Sequence, residues 1–372
     1  MKIGIDAKRI FNNNRGLGSY GRTLLDNMIA MYPNDKFVLY TPAVSLPRYQ
    51  SLYDSMENIA ISTADGQNGV LWRSYGIAQN IINDKIDVYH GLSHELPRNI
   101  GAASSKSVVT IHDLIFKTHP AYFPATDRFF YNLKWKHSLD SADKIIAISH
   151  STAAHIQKYY DVDSDKIEVI YSASHPRYYS REAIYRTIDH LKLPSEYMLS
   201  VGSLEPRKNY EGLIRAYANV NREVRIPLVI VGGGKKAYHK KLRALISRLE
   251  LDDLVFIRTD VDDDSLPGVY HKAKLFVYPS HYEGHGLPIN EAMLCSTAVV
   301  ASQTSSMQEA GGPSTLYVNP DDIDDIRVGI EAVLESEALR DDMVAKGLVY
   351  VHSHFDPKKV TTQTVELYQS LL

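Results

Sequence analysis

Ser174-His-Pro-Arg-Tyr-Tyr-Ser-Arg-Glu-Ala-Ile-Tyr-Arg-Thr-Ile-Asp-His-Leu-Lys-Leu193 is polar, rich in tyrosine and without a clear period, and just beyond it Met198-Leu199-Ser200-Val201 opens a new apolar run. That interruption decides the architecture. Before it, apolar runs stand at Lys2–Ala7, Phe37–Thr41, Ile59–Thr63, Val88–His90, Val108–Ile111, Lys144–Ile148 and Glu168–Tyr171. After it they stand at Met198–Val201, Leu228–Val231, Val255–Arg258, Leu275–Tyr278, Val299–Ala301 and Thr315–Val318. Several are unbroken Val/Ile runs, which strands buried on both faces of a parallel sheet require. Between them, Leu24, Leu25, Met28 and Ile29 keep helical spacing. The alternation predicts an α/β chain of two doubly wound parallel-sheet domains rather than one long sheet. The expected divisions are a first domain over 1–178, a linker over 179–195, a second domain over 196–356 and a terminal helix over 357–372, opened by Pro357 and carrying Val360, Val365, Leu367 and Leu371.

Bulk properties narrow the partners. The 372 residues suit two domains, and 44% apolar content is enough for a core in each. A net charge of -3 argues against nucleic acid. One cysteine, Cys295, cannot form an internal disulfide, which fits a reducing compartment. No run approaches the roughly 18 apolar residues of a membrane span, and the start, Met1-Lys2-Ile3-Gly4-Ile5-Asp6, lacks the core of a signal peptide. The expectation is a cytoplasmic protein whose membrane contact is peripheral at most, at the inner face. Arg128-Phe-Phe-Tyr-Asn-Leu-Lys-Trp-Lys136 mixes aromatics with cations and reads either as such a contact or as a helix packed on its own sheet.

Four motifs could carry chemistry. Gly16-Leu-Gly-Ser-Tyr-Gly21 matches G-x-G-x-x-G, whose glycines permit close backbone approach while the following helix start presents amides to a phosphate. It stands about eight residues past the strand and lacks the acidic ribose partner after Tyr40-Thr41-Pro42, so a dinucleotide-dependent dehydrogenase is disfavoured. His112-Asp113 ends a strand, where ligands of open α/β sheets collect; His112 could bond a sugar hydroxyl and Asp113 could fix its tautomer. Glu205-Pro-Arg-Lys-Asn209 follows a strand and Gly202, and Arg207 with Lys208 suits a diphosphate. The fourth, Tyr282-Glu-Gly-His-Gly-Leu-Pro-Ile-Asn-Glu-Ala-Met293, places Glu283 and Glu291 around two glycines and a helix start at Pro288. His281, Glu283 and His285 invite a metal reading, but Gly284 and Gly286 forbid the helix of an H-E-x-x-H site, so no metal is expected. The acidic runs at Asp161–Asp165 and Asp260–Asp264 read as solvated turns.

In this order the motifs resemble family 4 of the glycosyltransferases, retaining enzymes with the GT-B fold, and the resemblance spans nearly the whole chain. Its sharpest mark is E-x(7)-E, here Glu283 and Glu291, supported by the G-L-G-S-Y, T-I-H-D-L, A-I-S-H-S-T and E-P-R-K-N stretches. The resemblance implies two Rossmann-like domains facing a cleft, a final helix returning to the first domain, and transfer without metal or cofactor. It implies that Gly16 and Gly18 set amides against the donor diphosphate, that His112 meets the donor sugar and that Lys208 neutralises the diphosphate. Glu283 would bind sugar hydroxyls with the amides of Gly284, His285, Gly286 and Leu287, and Glu291 the ribose; Gly202 would belong to the donor site. Where the family often has G-R-L, this chain has Gly202-Ser203-Leu204, so Arg207 is the candidate replacement; His285 stands where an aromatic is common, and Thr259 where a glycine is frequent. The implied partners are a GDP- or UDP-sugar and a saccharide or lipid-linked acceptor of surface polysaccharide or lipopolysaccharide synthesis; the E-P-R-K-N and H-D-L-I-F variants resemble mannosyltransferases. Readings that compete are a nucleotide-sugar epimerase, a glycogen-synthase-like polymerase and a non-catalytic sugar-nucleotide binder.

Overall fold

The computed structural model describes residues 1–14 and 16–372. The chain forms two compact units, one of Met1–Ala173 with Pro357–Leu372, the other of Ser174–Asp356.

The first unit is built on seven strands: β1 (Lys2–Asp6), β2 (Lys36–Thr41), β3 (Ile59–Thr63), β4 (Val88–Gly91), β5 (Lys106–Ile111), β6 (Lys144–Ala147) and β7 (Ile167–Val169). They form one parallel sheet in the order β3-β2-β1-β4-β5-β6-β7. Alternation along each strand feeds two cores. Phe37, Leu39 and Val108 join Ile3 and Ile5 on one face, while Val38, Tyr40, Val109 and Ile111 pack with Trp72 on the other. Each such side chain contributes on the order of 1.5–3 kcal/mol by leaving water. The first face is covered by helix α1 (Gly16–Met31), through Leu24, Leu25 and Met28. The second is covered by helix α2 (Ala125–Ser141), through Trp135 and Leu139. On α2, Phe129, Phe130 and Leu133 are exposed.

The second unit has six parallel strands: β8 (Met198–Val201), β9 (Leu228–Val231), β10 (Val255–Arg258), β11 (Leu275–Tyr278), β12 (Val299–Ser302) and β13 (Leu316–Val318). Their order is β10-β9-β8-β11-β12-β13. Helix α3 (Tyr210–Ala218) packs Leu213, Ile214 and Tyr217 on β8, β9 and β11. Helix α4 (Leu287–Leu294) follows the glycine pair and has Pro288 in its first turn. The final helix, α5 (Pro357–Gln369), belongs to the first unit, where Val360, Val365 and Tyr368 join the α1 core.

The expected linker over 179–195 is not a spacer: it is part of the second unit. Short turns hold it there, with the Tyr179 hydroxyl donating to the Phe355 carbonyl at 2.9 Å and the Arg258 guanidinium donating to the Leu191 carbonyl. Of its two tyrosines Tyr179 docks it, while Tyr185 is exposed and meets the His271 ring edge-on. Among the described residues, no helix is long and apolar enough to cross a membrane.

Candidate functional site

In the second sheet the strand order reverses between β8 and β11, and the loops leaving their carboxyl ends are where a ligand gathers in such sheets. The loop after β8 begins at Gly202 and turns through Pro206–Lys208 into α3. Asn209 makes the junction: it takes the left-handed conformation, φ 56°, and its side chain accepts from the Gly212 amide, capping α3. This turn buries Lys208, whose Nζ donates to the Tyr278 hydroxyl at 2.5 Å and to Glu283 Oε1 at 2.6 Å. The ammonium also lies 4.9 Å from the centre of the Tyr278 ring.

Arg207 joins the same group. Its Nη1 reaches Glu283 Oε1 at 2.7 Å and donates to the Tyr282 carbonyl at 2.8 Å. Two cations therefore hold one carboxylate oxygen. Burial alone would raise the Glu283 pKa, but Arg207 and Lys208 more than reverse it and hold the group at about 2. Lys208 is pushed down by burial, with Glu283 opposing. The backbone of the motif is stapled as well, because the Glu283 amide donates to Ser305 Oγ and Ser306 Oγ donates to the Glu283 carbonyl.

Glu291 lies eight positions on, in α4, and behaves in the opposite way. It is half-buried; the Tyr270 hydroxyl donates to its Oε2 at 2.9 Å, and Tyr178 also bonds it. Burial raises its pKa to about 7. Between the two carboxylates, Gly286 adopts φ +102° as the residue before α4, a conformation that side chains rarely take. His285 turns inward: its Nε2 bonds Asn290 Oδ1 at 2.9 Å and its ring meets Phe355 edge-on. His281 instead faces Asp321, so His281, Glu283 and His285 serve three different partners.

In the first unit, Gly16 and Gly18 do not form a loop. They are the first turn of α1. A Cβ on Gly18 would fall 1.8 Å from the Asn13 carbonyl oxygen and 2.8 Å from that of Arg9, so glycine lets the helix start against the preceding segment. Gly16 faces open space. His112, just past β5, is buried; its Nε2 donates to the Leu92 carbonyl at 2.8 Å. Burial lowers its pKa to about 4, so it is neutral at pH 7, with its proton on Nε2 and its lone pair on Nδ1. Asp113 was expected to set this tautomer. Its Oδ1 accepts from the Ile115 amide, and the Leu92 carbonyl holds the proton of His112 on Nε2.

Two protein-family models match the chain, Glycosyltransferase Family 4 over residues 25–174 and Glycosyl transferases group 1 over residues 184–348. O-antigen chain mannosyltransferase B of Escherichia coli is 33% identical over 289 residues, covering 76% of this chain and 74% of that protein. The chain belongs to family 4 of the glycosyltransferases. The serotype-specific mannosyltransferase WbdA of Escherichia coli is 35% identical over 252 residues, which are 65% of this glycosyltransferase but only 31% of WbdA. Among solved structures, Anabaena Alr3699/HepE in complex with UDP and glucose aligns over the full length of both chains with a TM-score of 0.77 at 20% identity, a likeness of fold.

The glycosyltransferase thus brings Gly202, Arg207, Lys208 and Glu283 together after β8 and β11, gives His285 and Glu291 separate partners in Asn290 and Tyr270, and places Gly16, Gly18 and His112 in its first unit. Sequence reasoning missed Tyr278, Tyr270 and Tyr178, the hydroxyls that position Lys208 and Glu291. A signal was present: the chain has 25 tyrosines against 9 phenylalanines, and a tyrosine closing the core strand β11 needs a partner for its hydroxyl.

The raised Glu291 pKa has a consequence for stability. A carboxyl raised from 4.5 to about 7 favours folding fully below pH 4.5, and this contribution is lost as pH rises through 7. Glu291→Gln, neutral at every pH, is expected to match the wild type near pH 4 and to exceed it by on the order of 3 kcal/mol at pH 8. Urea unfolding at the two pH values checks this; equal stability at both contradicts it.

Proposed function

We propose that this glycosyltransferase moves mannose, with retention and without a metal, from a GDP-linked donor to a hydroxyl of a saccharide or lipid-linked saccharide in O-antigen-type synthesis. The observation that carries the reading is the Lys208–Glu283–Arg207 cluster at the carboxyl ends of β8 and β11. Two mannosyltransferases among the relatives support the sugar.

In this reading, charge grows on the diphosphate as the glycosidic bond breaks. Lys208 and Arg207 are fixed in a nearly dry site, so they stabilise that charge without reorganising. Glu283 stays ionised and accepts from sugar hydroxyls, while the amides from Gly284 to Leu287, at the start of α4, face negative charge. Glu291 accepts from the ribose. A phosphate oxygen of the leaving group takes the acceptor proton, so no protein carboxylate pair is needed of the kind that glycosidases use. On the first unit, Nδ1 of neutral His112 accepts from a sugar hydroxyl, and the α1 amides near Gly16 and Gly18 bind phosphate.

A thermal-shift screen of GDP-mannose against UDP-sugars tests the donor. At a hundred times its dissociation constant, the true donor raises stability by about 2.7 kcal/mol. Anomeric analysis of the product then tests retention. A shift with UDP-sugars alone, or an inverted product, overturns the corresponding part of the reading.

A further inference from the structure

Among the described residues the His112 ring makes one hydrogen bond, from Nε2 to the Leu92 carbonyl. That bond selects the tautomer, but a single bond lets an imidazole tilt about it. The ring is held by aromatic neighbours. Tyr20 meets it edge-on, with centroids 4.8 Å apart and planes at 88°. His94 meets it at 5.2 Å and 70°, and His94 is itself stacked on Trp135 at 4.2 Å. Edge contacts of this kind contribute about 0.5–1.5 kcal/mol each beyond the area they bury, and they are directional.

Tyr20, which lies in α1 between Gly18 and Gly21, is tethered in its turn. Its hydroxyl stands 3.2 Å from Thr110 Oγ1. Thr110 Oγ1 stands 2.8 Å from His90 Nε2, and His90 Nδ1 stands 2.5 Å from the Tyr368 hydroxyl. The four side chains are buried, none more than 5% exposed. Burial lowers the His90 pKa to about 3, so the ring is neutral. A neutral imidazole donates at one nitrogen and accepts at the other, so His90 joins its two hydroxyl partners head to tail.

Apolar side chains would fill this space without the risk of a buried group left unpaired. A paired polar chain adds direction, because it fixes where each member points. This one starts on α5, crosses β4 and β5, and ends on the ring that meets His112.

We propose that Tyr20 is a positioning residue for His112: its ring, tethered to α5 through Thr110 and His90, keeps the imidazole turned so that Nδ1 faces the substrate hydroxyl. The inference rests on the role given to His112 above and deepens it. Misplacing a reacting group by about 1 Å can cost about two decades in rate. Here Leu92 and His94 still restrain the ring when Tyr20 is changed, so a loss of about tenfold is expected.

The full chain is compared as wild type, Tyr20→Leu and Tyr20→Phe, with a melting curve for each. Leucine keeps the site apolar and removes the ring; phenylalanine keeps the ring and removes the tether. Tyr20→Met, unbranched and more adaptable, takes the place of Tyr20→Leu if that variant does not fold. The first readout needs no donor. Proton–nitrogen correlation NMR on isotope-labelled histidines reports the ring tautomer, and the His112 signals are those lost in His112→Gln. Wild type is expected to show the Nε2–H tautomer alone, Tyr20→Leu a mixture, and Tyr20→Phe a spectrum close to wild type. The second readout is kcat with GDP-mannose and α-linked mannobiose. It is expected to fall by about tenfold in Tyr20→Leu and to return to within about threefold of wild type in Tyr20→Phe, with donor KM little changed. A residue that only fills the core would lower Tm and move neither readout. An unchanged His112 tautomer in the folded ring-less variant, or a changed tautomer with kcat unchanged, overturns the proposal. If wild type does not turn over GDP-mannose, the donor reading fails by itself, and the tautomer still decides the role of Tyr20.

Discussion

Lys208→Ala is expected to lower turnover by about two to three decades while the chain stays folded. The size follows from what one preorganised donor contributes to developing charge, roughly 3–4 kcal/mol. The geometry supplies the preorganisation: the ammonium is buried, fixed by the Tyr278 hydroxyl at 2.5 Å and by Glu283 Oε1 at 2.6 Å, and needs no rearrangement as charge appears. Folding should survive because Glu283 keeps Arg207 at 2.7 Å. The loss should fall on kcat with little change in donor KM, the signature of an interaction made in the transition state. Lys208→Arg should not restore the rate. The lysine stem passes 3.3 Å from the point where a Gly202 Cβ would stand, leaving little room for a planar guanidinium beside the Tyr278 ring. Steady-state kinetics with saturating acceptor, beside a melting curve, decide the matter. A folded Lys208→Ala within tenfold of wild type removes this residue from the mechanism.

Among the described residues the central strands were legible because they are buried on both faces, and that demand writes continuous Val/Ile runs such as Leu228–Val231, where all four residues are buried, whereas the edge strands β3 and β7 are only part-buried. Strand ends shift by a residue or two where the last side chains meet loops, as at β5, which begins at Lys106. The segment 179–195 misled for a physical reason: single polar contacts, such as the Tyr179 hydroxyl on the Phe355 carbonyl and Arg258 on the Leu191 carbonyl, leave no hydrophobic period, yet they fix it by tertiary contact. In the candidate site, Lys208, Arg207 and Glu283 could be nominated from charge type and position in a strand-to-helix turn. Their mutual pairing could not, because residues 75 apart meet only through the sheet order. His112 was nominated, but its tautomer depends on a carbonyl, Leu92, which carries no mark in the sequence. The network of Tyr368, His90, Thr110 and Tyr20, which ties the final helix to the first sheet, was illegible for the same reason: each member alone reads as an ordinary core residue.

Glu283→Gln should be the most destabilising single change at the site, by about 3–5 kcal/mol at pH 7, because it takes the shared anion from the buried Lys208 and leaves the half-buried Arg207 only Glu205 at 3.6 Å. For a unit of this size that corresponds to a fall in Tm of about 10 °C. Glutamine keeps the shape and can accept from one donor, but it cannot offset the repulsion between Arg207 and Lys208, whose side chains are only 15% and 9% exposed. The pH dependence separates this account from a loss of packing. Burial pushes the Glu283 carboxyl up, the two cations pull it further down, and the net value of about 2 lies below its ordinary 4.5. A depressed carboxyl stabilises the fold above pH 4.5, and that stability drains away as pH falls toward 2. Wild type and variant should therefore differ most at neutral pH and converge near pH 2, the reverse of the behaviour expected at Glu291, where the two diverge as the solution becomes alkaline. The same nine-residue stretch thus holds one carboxylate charged and its companion near neutrality, and the contrast depends on which of them the E-P-R-K-N turn reaches. Urea midpoints for both variants between pH 2.5 and 8 read this directly. A Glu283→Gln deficit that stays constant across that range would falsify the electrostatic origin and leave shape as the cause.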